Sequence, residues 1–313
     1  MNIIYKSSDI KQEQLLSVLK LWNDEVGLVY PITEKGFNQN IVSYSNKKVM
    51  LAYDEDKLVG FIILKQFSDE FLPSYEEDVF ISLFFVHKKY RKQGIGSKLL
   101  DFAKENSEGK NLVIGKEIYN FFPGVPTDFD NLTDVWLQKR GFEGVRYTHD
   151  VIARNPKSFE IKNQNIKFKY CLNDDKNRLI SFLRKNNWNR WAFEAKDYFN
   201  KKSIKDENAY LIGENEKDEI VCFCRINWKD MDIVAYNVTW QDRFTNLGGI
   251  GPLGVDKEYR KTGLGGDIIS KAIECLKEKN VSEIMIDWTG LMELYRKYNF
   301  EVWKSYKYMT REK

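Results

Sequence analysis

Hydrophobic and polar positions along this chain follow the periods of strands and helices in two successive sets. In the first half, short apolar runs predict strands at about residues 2–6, 49–53, 58–66, 79–86 and 111–115. Helical periodicity is expected over about 9–26, 33–45 and 131–140, and in the segment that follows residue 96. Strands are expected to continue to about residue 153.

The second half repeats this order from about residue 165. Strands are predicted at 208–213, 220–226 and 282–287, and one helix should end at about Lys279. Mixed strand and helix order predicts an α/β (α+β) fold, in which each half has a mixed central β-sheet flanked by helices.

Two stretches of eleven residues are nearly identical. Residues 86–96 read V-H-K-K-Y-R-K-Q-G-I-G and residues 255–265 read V-D-K-E-Y-R-K-T-G-L-G, so that seven of eleven positions match. A repeat with a period of about half the chain indicates a duplicated domain. We therefore predict domains at residues 1–157 and 158–313, joined by a linker at 155–158.

Each repeat lies between a predicted strand and a predicted helix. Glycines allow positive φ angles and a close approach of the backbone to a ligand. The free N–H groups of the following helix favour an anion, and Arg91 and Arg260 add positive charge. A phosphate or pyrophosphate is the expected ligand.

Two common phosphate motifs do not fit the spacing. A nucleotide P-loop needs Gly-x-x-x-x-Gly-Lys-Ser/Thr, and neither repeat contains it. A dinucleotide fingerprint needs a third glycine or alanine, where this chain has Leu99 and Ile268.

The repeats resemble the pyrophosphate loop of the GNAT superfamily, the acyl-CoA-dependent N-acyltransferases, whose pattern is Arg/Gln-x-x-Gly-x-Gly/Ala after a strand. This resemblance covers nearly the whole chain as two GNAT-like domains, and it implies that both bind acetyl-CoA. The residues that it places at the coenzyme are Phe84, Phe85, Val86, Arg91, Lys92, Gln93, Gly94, Ile95, Gly96 and Ser97 in the first domain, and Leu253, Gly254, Val255, Arg260, Lys261, Thr262, Gly263, Leu264, Gly265 and Gly266 in the second.

The two domains differ at the position where the family typically carries a tyrosine. The family pattern is similar to F-Y-E-K-L-G-F. The second domain has L-Y-R-K-Y-N-F with Tyr295, whereas the first has W-L-Q-K-R-G-F with Leu137. The resemblance implies that Tyr295 protonates the departing thiolate as general acid. A tyrosine packed in the core is the structural alternative.

Asp287 ends the predicted fifth strand of the second domain. It is our candidate for the general base that accepts the proton of the amine, directly or through water. It could equally bind the substrate ammonium or cap the following helix.

The resemblance implies an N-acetyltransferase that transfers the acetyl group of acetyl-CoA to a primary amine of a small molecule or peptide, by direct attack in a ternary complex. The combination of F-P-G-V-P, G-P-L-G-V and I-D-W-T-G-L resembles a bacterial tandem-GNAT subgroup, some members of which are fused to glycoside hydrolases that handle N-acetylglucosamine-type sugars. An amino sugar is therefore one candidate acceptor. A non-catalytic acetyl-CoA-binding sensor or scaffold is the alternative function.

Composition removes several other classes. The net charge of +3 without a basic stripe argues against a nucleic-acid partner, and no apolar run reaches the ~20 residues of a membrane span. Two histidines and four cysteines without ligand spacing predict no metal site, and the cysteines are expected to be buried thiols. We expect a cytoplasmic protein, because the N-terminus does not read as a signal peptide. It should be a monomer if the tandem repeat pairs internally, with a homodimer as the alternative.

Overall fold

The computed structural model describes residues 2–129 and 132–313 and contains two compact units. The first unit comprises Met1–Thr148 with Lys304–Lys313, and the second comprises His149–Trp303. The strands are β1 (Ile3–Lys6), β2 (Lys47–Asp54), β3 (Lys57–Gln66), β4 (Asp78–Val86), β5 (Asn111–Ile114), β6 (Val125–Pro126), β7 (Glu143–Ala153), β8 (Lys167–Tyr170), β9 (Tyr210–Glu214), β10 (Ile220–Trp228), β11 (Leu247–Val255), β12 (Glu283–Thr289) and β13 (Glu301–Arg311).

Helices and short helical turns connect these strands. The α-helices are α1 (Gln12–Val26), α2 (Glu34–Phe37), α3 (Ile95–Glu105), α4 (Thr133–Gln138), α5 (Lys176–Lys185), α6 (Asn189–Lys201), α7 (Leu264–Glu278) and α8 (Met292–Arg296). The 3₁₀ turns are Pro73–Glu77, Lys88–Tyr90, Asn173–Asp175, Ile204–Asp206, Tyr236–Val238, Gln241–Arg243 and Lys257–Tyr259, and a π turn spans Asn38–Val42.

The sheet of the first unit runs in the order β1-β2-β3-β4-β5 and ends on residues 309–311 of β13. Its pairs are antiparallel except β4 with β5, which are parallel. The apolar face of α3, with Leu99 and Leu100 fully buried, packs on β2, β3 and β4. This packing buries the apolar stripe that an amphipathic helix must cover.

The sheet of the second unit follows the same plan. Its order is β8-β9-β10-β11-β12, and residues 149–153 of β7 complete it beside β12. The pair β11 and β12 is parallel, and α7 packs on β10 and β11. Leu264, Ile268 and Ala272 of α7 are fully buried in this core. The predicted α/β fold with two mixed sheets and flanking helices is confirmed.

The sequence predicts domains at residues 1–157 and 158–313. The two compact units assign two segments differently: residues 149–157 belong to the second unit, and Lys304–Lys313 belong to the first. Residues 149–153 pair with β12 in the second unit, and Met309–Arg311 pair with β5 in the first. Strand pairing is the physical reason, because each segment satisfies the main-chain groups of what would otherwise be a sheet edge.

Other predicted elements shift at their ends. The helix expected at 33–45 is divided into α2 and the π turn, and the fifth strand of the second unit continues beyond Asp287 to Thr289. The helix expected at about 131–140 corresponds to α4, and residue 131 itself lies outside the described residues.

The predicted linker at 155–158 has no regular secondary structure, and it is anchored to the second unit. Lys157 N–H donates to Tyr298 O at 3.1 Å, and Asn299 Nδ2 donates to Asn155 O at 3.1 Å. Farther along, the N–H groups of Lys162 and Asn163 donate to the buried carboxylate of Asp267, at 3.1 and 2.9 Å. Residues 162 and 163 therefore lie beside the N-terminal end of α7.

All four cysteines are free and buried, as predicted. Among residues 2–129 and 132–313, no helix is both long and apolar enough to cross a membrane.

Candidate functional site

The first glycine-rich turn has the backbone conformation that its sequence predicts. Strand β4 ends at Val86, a 3₁₀ turn follows, and α3 begins at Ile95. Gly94 caps this helix with φ +83°, and Lys92 also has a positive φ, +62°. A side chain at Gly94 would meet no atom within 4 Å, so the left-handed φ, rather than crowding, is what favours glycine there.

The second turn has the same geometry. Gly263 caps α7 with φ +94°, and Lys261 has φ +67°. In both turns an arginine folds back on the end of its strand: Arg91 Nε donates to Val86 O at 3.0 Å, and Arg260 Nε donates to Val255 O at 3.4 Å. Each turn thus presents helix N–H groups and positive side chains together, which is the arrangement that an anion needs.

A groove of about 440 Å³ opens beside the first turn. Eight of the ten residues expected at the first coenzyme site line it: Phe84, Phe85, Val86, Arg91, Lys92, Gly94, Gly96 and Ser97. The other two point elsewhere. Gln93 Nε2 donates to Lys89 O at 3.1 Å, and Ile95 is buried in the core.

The far wall of this groove holds residues that the sequence alone did not single out. Trp136 lies 5.8 Å from Phe84 between ring centroids, and the Arg140 guanidinium stacks on Trp136 at 3.7 Å. Arg140 Nη2 also donates to Ser97 Oγ at 2.9 Å. Both residues lie close to Leu137 in the W-L-Q-K-R-G-F segment. Because Leu137 is at the family's tyrosine position, this closeness in sequence could have indicated that Trp136 and Arg140 lie at the site. They place an aromatic face and a third cation at the mouth of the groove.

The predicted coenzyme residues of the second unit divide between strand, turn and helix. Leu253, Gly254 and Val255 pair with Cys224, Phe223 and Cys222 of β10. Lys261 and Gly265 lie in the turn and the first turn of α7, and Thr262 Oγ1 donates to Tyr259 O at 2.7 Å. Leu264 is fully buried in the core. A Cβ on Gly266 would lie 2.7 Å from the Tyr298 hydroxyl.

Both units have parallel central strands that separate toward the turn. In the second unit the β11–β12 ladder joins Leu247–Gly249 to Glu283–Met285, and the later residues of β11 pair with β10. In the first unit the β4–β5 ladder joins Asp78–Phe80 to Asn111–Val113. Beyond these ladders, among the described residues, β4 no longer pairs with β5 and β11 no longer pairs with β12, and this unpaired region is the gap between the strands.

Asp287 lies at this gap in the second unit and is half-buried. A Cβ on Gly251 of β11 would lie 3.8 Å from Asp287 Oδ1, so the strand passes close to the carboxylate. Burial, with the nearby Glu194 carboxylate, raises the pKa of Asp287 to about 6, although Arg190 and a hydrogen bond from Asn237 act in the opposite direction. A carboxylate with this pKa is largely ionised at neutral pH and can accept a proton.

Helix α6 and the turn at 236–238 surround this carboxylate with polar groups. Glu194, which is buried, accepts from Arg190 Nε at 2.8 Å and from Tyr236 OH at 3.0 Å. The Arg190 guanidinium lies 4.6 Å from the centre of the Trp288 ring, and Trp288 has the left-handed φ of +48°. A positive φ at a tryptophan is uncommon and costs energy, as is often found at functional sites.

Buried polar atoms without a hydrogen-bond partner also occur in the second unit. Among the described residues, these atoms include Arg225 Nε and Nη2, Asn227 Oδ1, Gln241 Oε1 and the Tyr210 hydroxyl, and all four residues are less than 10% exposed. Asn227 Nδ2 donates to Asn237 Oδ1 at 3.0 Å, so this residue adjoins the Asp287 group. Donors and acceptors left unmatched in a buried site cost energy until a ligand or water satisfies them.

Tyr295 lies on α8 and is 4% exposed. Its ring packs edge-on against Phe300, with centroids 6.0 Å apart, in the core of the second unit. Burial raises the pKa of Tyr295, and the nearby Cys224 and Asp287 raise it further. The phenol therefore keeps its proton at neutral pH. Leu137 in the first unit is likewise buried, at 2% exposure, and borders a cavity instead.

No group of three or more histidine, cysteine, aspartate or glutamate side chains that could hold a metal ion occurs in the part of the chain that the structure describes.

Comparison with known proteins identifies the domains. A family model described as acetyltransferase (GNAT) domain matches residues 45–143, and one described as acetyltransferase (GNAT) family matches residues 176–300. An uncharacterised N-acetyltransferase of Methanocaldococcus jannaschii is 26% identical over 127 residues, which cover 38% of this chain and 48% of that protein.

Solved structures share the fold across the whole chain. A glucosamine N-acetyltransferase region of a fungal multi-domain GH3 β-N-acetylglucosaminidase has a TM-score of 0.86 at 21% identity, covering 99% of this chain and 38% of that one. A tandem GNAT protein from the clavulanic acid biosynthesis pathway has a TM-score of 0.68 at 11% identity, covering 99% and 98%.

The chain spans less than half the length of the archaeal and fungal proteins. GNAT domains use acetyl-CoA, and the glycine-rich turns lie within both matched regions. The chain carries two GNAT acetyltransferase domains and belongs to the GNAT superfamily.

Proposed function

We propose that this protein is an N-acetyltransferase that transfers the acetyl group of acetyl-CoA to a primary amine by direct attack in a ternary complex. The observation that carries the proposal is the Asp287 carboxylate, with its pKa of about 6, at the gap between β11 and β12 and close enough to Tyr295 to raise the pKa of that phenol. A base and an acid with separated pKa values at one gap suit acyl transfer.

Each residue has a defined part in the proposed reaction. Asp287 accepts a proton from the ammonium, so that the nitrogen can form a bond to the thioester carbonyl carbon. A main-chain N–H of β11 near Val255 stabilises the oxyanion that develops, a contribution typically worth ~10²–10³ in rate. As the carbon–sulfur bond breaks, Tyr295 donates its proton to the thiolate.

Both glycine-rich turns are proposed to hold the coenzyme pyrophosphate. Support comes from the matched positive φ angles at Lys92 and Lys261 and from the matched glycine caps Gly94 and Gly263. In the first unit the 440 Å³ groove supplies space beside the turn. Because Leu137 cannot donate a proton, we assign the transfer to the second unit.

A polyhydroxylated amine, such as an amino sugar, is the proposed acceptor class. Asn227, which bonds to Asn237 beside Asp287, and Arg225, which lies near Glu194, offer buried polar atoms that such a substrate could satisfy, and the fungal structure is described as a glucosamine N-acetyltransferase region. The carboxylates of Glu194 and Asp287 suit an ammonium group. Other small amines and peptide N-termini are the competing acceptors.

A non-catalytic acetyl-CoA-binding module is the second candidate function. The first unit favours it, since that unit retains the coenzyme turn and has Leu137 at the tyrosine position.

Release of free thiol from acetyl-CoA across a panel of amino sugars, small amines and peptides, with mass spectrometry of the products, distinguishes the two functions. We expect rapid thiol release with at least one amino sugar and a product 42 Da heavier, the mass of an added acetyl group. Coenzyme binding without thiol release on any amine would support the module instead.

A further inference from the structure

A second cavity in the first unit lies next to the coenzyme groove. Its volume is about 90 Å³, and it shares Phe84, Phe129 and Thr133 with the groove of about 440 Å³. The cavity reaches between β4 and β5, where it contacts Leu83 and Ile114. It therefore occupies the same gap between strands at which the second unit has Asp287.

The walls of this cavity are mainly apolar. Trp22, Ile81, Phe122, Val125 and Leu137 contribute to them, and Ser82, Glu117 and Thr133 are polar. Two of these polar groups bond to each other: Ser82 Oγ donates to Glu117 Oε1 at 2.6 Å. Glu117 also accepts from the buried Lys65 at 3.2 Å. An uncharged hydrocarbon group is consequently the ligand chemistry that the cavity fits best.

Leu137 contributes to this space directly. The corresponding residue of the second unit, Tyr295, packs its ring in the core beside Phe300. At the same place in the first unit, the shorter leucine side chain lines the cavity wall. The first unit, which has Leu137 in place of a proton-donating tyrosine, therefore has an apolar space at its gap.

We propose that the first unit binds an acyl-CoA whose acyl group is longer than acetyl, with three to four carbons, and that the acyl chain enters this cavity. A volume of about 90 Å³ equals roughly three water volumes of ~30 Å³ each, which matches a chain of about three non-hydrogen atoms beyond the carbonyl carbon. Because the cavity and the coenzyme groove share Phe84, Phe129 and Thr133, the acyl chain of a CoA thioester bound at the turn lies within reach of the cavity. The inference rests on the proposed function, because it requires the first turn to hold CoA.

Calorimetric titration of the full chain carrying Gly263→Glu isolates the first site. The ligands are CoA and acetyl-, propionyl-, butyryl- and hexanoyl-CoA. We expect the dissociation constant to fall about fourfold per added methylene from acetyl to butyryl, which is about 15-fold in total. Hexanoyl-CoA should show no further gain, because its chain exceeds the cavity. Arg260→Glu provides a second way to weaken the other site if Gly263→Glu impairs folding.

Gly94→Glu isolates the second site as the matched control and should show no preference for butyryl-CoA. In the Gly263→Glu background, Ile114→Phe should remove the preference for butyryl-CoA by filling the cavity, while affinity for CoA itself is kept. Ile114→Val enlarges the cavity, so this variant should keep the preference for butyryl-CoA.

The possible failures are distinguishable. Equal affinity for acetyl- and butyryl-CoA at the first site, with CoA still bound, overturns the acyl-chain inference alone. If Gly263→Glu and Arg260→Glu proteins remain folded and bind no CoA, the coenzyme assignment of the first turn is wrong, and this inference falls with it. A butyryl preference that persists in Ile114→Phe places the acyl chain elsewhere and also overturns the inference.

Discussion

Replacement of Asp287 by asparagine tests the proposed base and the electrostatics of its site together. The asparagine side chain has nearly the same shape and carries no charge. In the folded protein, burial and Glu194 raise the pKa of this carboxyl from its ordinary value of 3.8 to about 6. A rise of this size corresponds to a free energy of roughly 3 kcal/mol at most, because each tenfold change in proton affinity is worth about 1.4 kcal/mol.

The sign of the effect on stability follows from linkage. Because the folded-state pKa is raised, the folded protein binds the proton more tightly than the unfolded chain between about pH 4 and pH 6. The free energy of unfolding contributed by Asp287 is therefore highest below pH 4 and is lost as the pH rises through 6. Asp287→Asn should be stabilising at pH 8, and its advantage over the wild type should be smaller by about 1.4 kcal/mol at pH 5.

Urea unfolding of both proteins at pH 5 and pH 8 measures this difference. Asp256→Asn is a matched control of opposite sign. Burial favours protonation of Asp256, but the Glu258 N–H and hydrogen bonds from Lys185 and Asn186 outweigh it and lower the pKa. Asp256→Asn should therefore destabilise the protein by nearly the same amount at pH 5 and pH 8, because both lie above the lowered pKa, and the loss should shrink only below about pH 4.

The same variant tests catalysis. The wild-type kcat/KM should fall about tenfold per pH unit below 6, whereas Asp287→Asn should lose about 10²–10⁴ in rate and show no such limb. Full turnover by the variant refutes the assignment of the base. An equal stability difference at pH 5 and pH 8 refutes the raised pKa.

Three further outcomes are expected. Tyr295→Phe keeps the ring packing, so it should leave the melting temperature nearly unchanged while lowering kcat by about 10²–10⁴-fold. Its KM for acetyl-CoA should change little, and full turnover would disprove the role of the phenol. Leu137→Ala should act on stability, lowering the free energy of unfolding by about 2–3 kcal/mol, because the buried side chain already borders a cavity; denaturant unfolding measures it. Calorimetry with CoA should find two sites in the wild type and one in each of Gly94→Glu and Gly263→Glu. A wild-type stoichiometry of one, abolished by only one variant, would contradict two coenzyme sites.

The sequence alone predicted the features that depend on neighbouring residues. The order of strand, turn and helix around Gly94 and Gly263 is local, because glycine caps, positive φ angles and helix periodicity act within a few residues. Repetition of that order at half the chain length then predicted two similar domains, as the matched regions confirm.

Only the tertiary structure decided which distant segments meet. Pairing of Met309–Arg311 with β5 and of residues 149–153 with β12 depends on main-chain hydrogen bonds across many residues, which no local pattern encodes. The raised pKa of Asp287 likewise arises from burial and from Glu194, a helix residue far away in sequence. The sequence could name Asp287 as a candidate, but its protonation behaviour depends on the side chains that folding places around it.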